Sequence, residues 1–168
     1  MEKEYNVDTT TMTNPTESLV SSFDMKMPSI RFWMTPGAPT PKVSTAGSGG
    51  LDLFIDDFKV EDDKLKIHTG VHIELPRGHV GLLIPRSSTG VAGFRLKNTV
   101  GVIDSDYRGE IMLIADRFDA EEELVDIGKK IAQLVIVPVC PFPMEQVGNF
   151  EDLTVTSRDT GGFGSTGE

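Results

Sequence analysis

The chain ends in a stretch, Arg158 to Gly167, that holds four glycines around the single aromatic Phe163. Such a segment builds neither a helix nor a strong strand, because glycine has no side chain to pack and loses the most backbone entropy on ordering. It does carry what a nucleotide needs: a phenyl face for a base, the Ser165 hydroxyl and free N–H groups for phosphate, and Arg158 for charge. A frayed terminus is the ordinary alternative, but a lone phenylalanine ringed by glycines is not its habit. The segment reads as an arm that orders over a ligand. Upstream, Arg86, Ser87 and Ser88 follow the apolar run Gly81–Pro85 and open a short helix, an entry whose N–H groups suit an anion. Asn98–Met112 reads as a β-hairpin with Ser105-Asp106 and Arg108-Gly109 near its turn, and such a hairpin can offer unpaired N–H and C=O groups to a pyrimidine edge. Gln133 stands in an otherwise apolar strand, where an amide must find partners, and Asp52 follows a Gly-rich turn.

The elements that position these groups are short. Ile30–Met34 alternates apolar and polar side chains and predicts a first strand. Residues 36–41 form a turn or extended linker. Apolar runs then recur at Leu51–Phe54, Val71–Leu75, Val80–Ile84, Ile111–Ile114 and Ile131–Val139, with one brief helix near Ser88–Val91. This is an all-β pattern, for which a Greek-key or jelly-roll architecture is the natural solution. Residues 1–28 are rich in Thr, Ser, Asn and Glu without apolar period and are expected to be disordered. The β domain spans 29–157 and the arm 158–168.

At 168 residues, 38% hydrophobic and 25% charged, the chain fits one globular domain with a core of its own. A net charge of −10 makes nucleic acid an improbable partner, and no apolar run approaches a membrane span. The start of the chain has neither a secretory h-region nor the arginines of a transit peptide, so an intracellular protein, cytoplasmic or nuclear, is expected. The single cysteine, Cys140, closes the run Leu134–Cys140 and reads as a buried strand residue rather than a nucleophile. His68, His72 and His79 lack metal-ligand spacing, and the P-loop pattern is absent. If so acidic a chain acts on a triphosphate, local cations (Arg86, Lys129, Lys130, Arg158) and a divalent ion must outvote the average.

Five segments in order, Ser48–Leu53, Pro85–Gly90, Gly101–Gly109, Gly128–Leu134 and the arm, resemble the motifs of the trimeric dUTP pyrophosphatases (dUTPases). The resemblance runs from about Ile30 to Gly167. It implies a homotrimeric jelly-roll enzyme with a flexible C-terminal arm, in which each site is assembled from three chains. The implied reaction converts dUTP and water to dUMP and pyrophosphate with Mg2+, limiting uracil in DNA and supplying dUMP for dTMP synthesis. Two alternatives are a dUTPase-fold protein with a signalling or binding role and a dCTP deaminase relative. The deaminases use a glutamate in the third segment, where this chain has Asp104-Ser105-Asp106-Tyr107.

Carried onto this chain, the resemblance makes Asp104 the general base that takes a proton from the attacking water. Asn98, Gly101, Val102, Ile103 and Met112 line the uracil and sugar pocket, and the Tyr107 ring packs under deoxyribose and excludes a 2′-hydroxyl. Arg86, Ser87 and Ser88 face the phosphates, with Ser87 at the bridging oxygen. Gln133 touches phosphate or metal-bound water, and Asp52 helps to organise metal water, so that the metal is held indirectly. Arg158, Phe163, Gly164 and Ser165 close the arm over the nucleotide. Lys130 stands where the family usually has Arg, keeping the charge but losing the planar fork. Asp159 stands where Gly is commoner.

Overall fold

The computed structural model describes residues 29–61, 64–91, 93–117 and 126–161. Ten strands, β1 (Arg31–Met34), β2 (Lys42–Val43), β3 (Leu51–Phe54), β4 (Asp57–Glu61), β5 (Lys64–Glu74), β6 (His79–Pro85), β7 (Phe94–Leu96), β8 (Gly101–Ile103), β9 (Glu110–Arg117) and β10 (Lys130–Pro138), form two five-stranded antiparallel sheets. The first has the order β1-β5-β9-β7, with β4 also paired to β5; the second runs β2-β3-β10-β6-β8. Among the described residues a short helix, α1 (Ser87–Val91), sits between β6 and β7, and a 3-10 turn covers Phe150–Asp152. This is the expected all-β jelly roll. The expected N-terminal tail lies outside the described residues, and among the described residues no helix is long and apolar enough to cross a membrane.

Alternation drives the assembly. Along β5, Leu65, Ile67, Thr69, Val71 and Ile73 are buried while Lys66, His68 and His72 lie nearer the surface. Across β9, Ile111, Leu113 and Ala115 do the same, and Leu53, Leu83, Ala132 and Leu134 answer from the other sheet. Burying each such side chain is worth about 1.5–3 kcal/mol, and the two inner faces supply the core. The buried Thr69 hydroxyl is satisfied by the Ile111 carbonyl at 2.6 Å.

Several expectations change. Asn98–Met112 is not a hairpin: β8 pairs with β6 in one sheet, whereas β9 pairs with β5 and β7 in the other. The segment is a corner at which the chain switches sheets, because both strands find better-matched apolar edges than each other. Cys140 is exposed and lies past the end of β10, which stops at Pro138; proline cannot donate to a continuing ladder. β1 forms, but Phe32 and Trp33 are more than half exposed (51% and 60%), since the strand lies at the edge of its sheet and pairs only with β5 among the described residues. β4 and the first half of β5 form a ladder from Asp57↔His68 to Glu61↔Lys64 that the apolar runs do not announce. Their signal is the strict alternation of Asp57–Glu61 and Lys64–His68, apolar at every second position.

β5 is irregular at one place. Four residues separate His68 from His72 where only two separate their partners Met112 and Glu110. Gly70, at φ +64°, absorbs the excess, and a Cβ there would lie 2.5 Å from the Ala38 Cβ and 2.8 Å from Asp56 Oδ2. Gly70→Ala combines a left-handed backbone with overpacking, and is expected to cost about 2–5 kcal/mol. Chemical denaturation, read by its midpoint, checks this; a midpoint like that of the parent would mean the loop before β2 moves aside freely.

Candidate functional site

The structure sorts the predicted residues into two groups, one along the β8 edge of β6 and one past the end of β6 at Pro85. In the middle of that strand, Gly81 pairs with Ile103 and Leu83 with Gly101. Here Asn98, Gly101, Val102, Ile103 and Met112 line one concavity of about 730 Å³, a volume suited to a small ligand. Along β8, Gly101 is buried and Val102 is exposed, so successive residues face opposite ways. Val102 also borders a second, wider concavity of about 1130 Å³ that holds Asp104, Asp106, Arg108, Arg77 and His79.

Asp104 is exposed at the head of the corner, its carbonyl accepting the Tyr107 N–H at 3.1 Å. The Tyr107 ring lies back across Gly109, where any Cβ would run into the hydroxyl, and that hydroxyl donates to the Glu110 carbonyl at 3.0 Å. Arg108 Nη1 donates to the carbonyls of Ser105 and Tyr107 at 2.8 and 2.7 Å. The corner is thus held by Tyr107 and Arg108 bonding to its own carbonyls, which leaves the Asp104 carboxylate at the surface.

Past the end of β6, Asp52 organises the second group. Its carboxylate is buried, with Arg86 Nε 3.0 Å from Oδ1, and Lys130 Nζ 2.8 Å and the Ser44 hydroxyl 2.6 Å from Oδ2. Lys130 also donates to Ser44 at 2.8 Å. Arg86, Ser88, Lys129 and Lys130 line a cleft of about 370 Å³, and Ser87 begins α1, one turn whose leading amides precede any intrahelical acceptor. Thr89 pins that turn by donating to the Ile131 carbonyl at 2.6 Å. Gln133 lies opposite Asp52 in register, and only glycine fits beside it: a Cβ on Gly50 would be 2.6 Å from Gln133 Oε1.

Both Asp52 oxygens face cations or a hydroxyl, so Asp52 anchors the cationic cleft, a structural role beside the one that the resemblance implies. Lys130 spends one face of its ammonium on that carboxylate, a point contact that needs no planar fork. Burial pushes the Asp52 carboxyl up, but hydrogen bonds from Lys130 and Ser44 and the charges of Arg86 and Lys130 outweigh it, holding Asp52 below the usual carboxylate range. Among the described residues, no cluster of three or more His, Cys, Asp or Glu side chains forms a metal cage.

Of the arm, Arg158 is exposed and its Nε donates to the Gly161 carbonyl at 2.9 Å. Asp159 has φ +46°, a left-handed conformation for which glycine is the easier residue. Phe163, Gly164 and Ser165 lie outside the described residues. Glu110 and His68 escaped the sequence reading. Glu110 follows Gly109 at the end of the third segment, and its partner His68 is distant in sequence, so only the pairing of β5 with β9 reveals them.

The two groups lie apart along β6. Ile103, the neighbour of Asp104, pairs with Gly81, four residues before the strand's end at Pro85, which at about 3.3 Å per residue is roughly 13 Å, and Ser87 lies beyond that end.

The dUTPase family model matches residues 37–167. The deoxyuridine 5'-triphosphate nucleotidohydrolase of Anaplasma marginale is 39% identical over 154 residues, spanning 85% of this chain and 99% of that protein. The protein of the same description from Hydrogenobaculum sp. is 41% identical over 134 residues, 77% of this chain and 91% of its own. Among solved structures, the Staphylococcus bacteriophage 80alpha dUTPase with dUPNHPP superposes with a TM-score of 0.70 at 26% identity, covering 83% of this chain and 99% of that one. A phage phi11 dUTPase structure described as coordinating a structural Mg(II) ion has a TM-score of 0.61 at 25% identity, covering 74% of this chain and 99% of that one.

Asp52→Asn removes the charge that holds Arg86 and Lys130. Because those partners are partly exposed, the expected loss is about 2–3 kcal/mol, less than for a wholly buried pair. A carboxylate with a depressed folded pKa contributes stability above the ordinary carboxylate range and loses it as pH falls through the folded value. The parent should therefore lose part of its stability on acidification, and the variant should lose less. Denaturation midpoints across the acid range check both; equal acid slopes would remove Asp52 from the account.

Proposed function

We propose a mechanism for a chain that belongs to the dUTPase family and is a dUTP nucleotidohydrolase. Uracil enters the concavity lined by Asn98, Gly101, Val102, Ile103 and Met112, where main-chain groups of the β8 edge read its pairing edge and leave a cytosine amino group unmatched. The Tyr107 ring packs under deoxyribose. Asp104 takes the proton of a water that attacks the α-phosphorus. The new bond forms between water oxygen and α-phosphorus, and the bond from that phosphorus to the α,β-bridging oxygen breaks. Pyrophosphate leaves, and dUMP remains. Ser87 meets the charge that develops on the bridging oxygen, while Arg86, Ser88 and Gln133 hold the phosphates. The product dUMP is the precursor for dTMP, and removing dUTP keeps uracil out of DNA.

The observation that carries this reading is the separation of Asp104 from Ser87 along β6. It supports a site shared between subunits of a homotrimer, the base and uracil pocket from one chain facing the cationic cleft of the next. A second feature supports the same assembly. Past β10 the chain leaves its own core with Phe142 80%, Met144 99% and Val155 89% exposed, apolar surface that a neighbouring chain would cover. The arm of the third chain then brings Phe163 onto the base, with Arg158, Gly164 and Ser165 toward the phosphates, and closure excludes water.

Magnesium fits this site as a passenger of the substrate. With Asp52 engaged by Arg86, Lys130 and Ser44 and no carboxylate cage among the described residues, the ion would rest on phosphate oxygens and waters, its usual preference. Gln133 is the side chain placed to meet one of those waters. When bound, the ion offsets triphosphate charge that an acidic protein would otherwise repel.

Asp104→Asn keeps the shape and removes the base. Turnover should fall by about 100- to 10,000-fold, while affinity for dUPNHPP, measured by calorimetry, stays close to that of the parent. Near-normal turnover would exclude Asp104 from proton transfer. Sharing of the site is tested by co-assembling Asp104→Asn with Ser87→Ala, each crippled alone. Some mixed sites pair an intact base with an intact cradle, and random mixing should restore about a quarter of parental turnover. A co-assembled sample no more active than its two components would place the whole site on one chain.

A further inference from the structure

We infer that Glu110 is a positioning residue for Tyr107 and, through it, for the turn that carries Asp104. This rests on the reading that the Tyr107 ring packs under deoxyribose. The irregularity in β5 displaces the Gly70 N–H from the ladder with β9, and the Glu110 carboxylate reaches across to take it: Gly70 N donates to Oε1 at 2.8 Å. The other oxygen, Oε2, lies 2.9 Å from His68 Nδ1. Both side chains are only about one-fifth exposed (21% and 20%), so this is a built contact rather than a solvated surface pair. Burial pushes the Glu110 carboxyl up, yet the hydrogen bonds from His68 and Gly70 prevail and hold it below the usual range.

The main chain of the same residue faces the other way. Its carbonyl is the acceptor for the Tyr107 hydroxyl at 3.0 Å, and the Tyr107 N–H in turn closes the turn onto the Asp104 carbonyl at 3.1 Å. Glu110 therefore joins two things: a glycine-bearing irregularity in β5, and a surface corner whose other ties to β5 are the Arg108 carbonyl, 3.0 Å from His72 Nδ1, and the wider Arg108–Glu74 pair at 3.9 Å. Glu110 is the first residue of β9 and stands opposite His72, so its carboxylate fixes how that strand end sits against the Gly70 irregularity. If it lets go, the Glu110 carbonyl shifts at the strand end, and the tyrosine ring that it holds shifts with it. The ring alone polices the 2′ position in this reading, so the loss should appear first in sugar selectivity.

The test compares kcat/KM for dUTP and UTP in Tyr107→Ala, Glu110→Ala, Glu110→Gln and the double alanine variant, each shown to be folded and assembled by sedimentation. Tyr107→Ala should lower the dUTP-to-UTP ratio. Glu110→Ala should lower it in the same direction by about tenfold, and the double variant should fall no further than Tyr107→Ala, since coupled groups are not additive. Glu110→Gln keeps an acceptor for Gly70 and should recover most of the ratio, which a nonspecific loss of stability would not predict. Should Glu110→Ala fail to fold, Glu110→Asp carries the test, because a side chain one methylene shorter cannot span from β9 to both partners; its ratio should fall. An unchanged ratio in a folded Glu110→Ala or Glu110→Asp, with Tyr107→Ala altered, overturns the role of Glu110 alone. Additive losses in the double variant do the same. An unchanged ratio in Tyr107→Ala overturns the reading of the ring, and this inference with it.

Discussion

An antiparallel strand paired on both edges has a fixed length, and β6 is paired on both: β10 runs along all of it, and β8 covers its middle, Gly81 to Leu83. It can neither curl nor slip, because a one-residue shift would turn Leu83 out of the core. Whatever is attached along it is held apart by its extent. Its β8 edge carries the corner with Asp104 and the concavity beside β8; its end at Pro85 carries Arg86, Ser87 and α1. That separation is what supports, in the mechanism proposed above, a site assembled from more than one chain, an assembly that would also cover the apolar surface past β10.

Charge follows a similar division between the local and the global. The chain carries −10 overall, yet one buried aspartate draws Arg86 and Lys130 to a common point beside α1. Neither cation is fully neutralised, since each is long and presents further N–H groups to the cleft. Asp52 fixes where the positive charge sits, and the acidic remainder of the surface leaves that cleft as a favoured landing point for a small polyanion.

The corner from Ile103 to Glu110 has to be both exposed and exact, requirements that usually conflict. The carboxylate of Asp104 must reach solvent and substrate, so it cannot be buried for rigidity. Rigidity comes instead from bonds to main-chain groups: the Tyr107 N–H to the Asp104 carbonyl, the Arg108 guanidinium to the carbonyls of Ser105 and Tyr107, and the Gly70 N–H of β5 to the Glu110 carboxylate. Gly109 and Gly70 appear where side chains would collide, one under the tyrosine ring and the other against Ala38 and Asp56.

Much of this was legible in the residues themselves. The apolar runs foretold the core strands β3, β6 and β10, the later half of β5 and the start of β9, and Pro85–Gly90 foretold the short helix. The five ordered segments pointed to dUTPase chemistry. The alternating stretch Asp57–His68 was readable but lacked long apolar runs, and was missed. Three things were decided only by the tertiary structure. Asn98–Met112 has the turn residues of a hairpin, but β8 and β9 each found an edge in a different sheet. Cys140 continues an apolar run, yet Pro138 ended the strand before it and left the thiol outside. Asp52 and Glu110 took their roles from Lys130, Arg86, His68 and Gly70, partners many residues away. Residue type and period are local properties, and they state which segments want burial. Which edges meet is a competition among all strands for hydrogen-bond partners and shared apolar faces, and it is settled only when the sheets close.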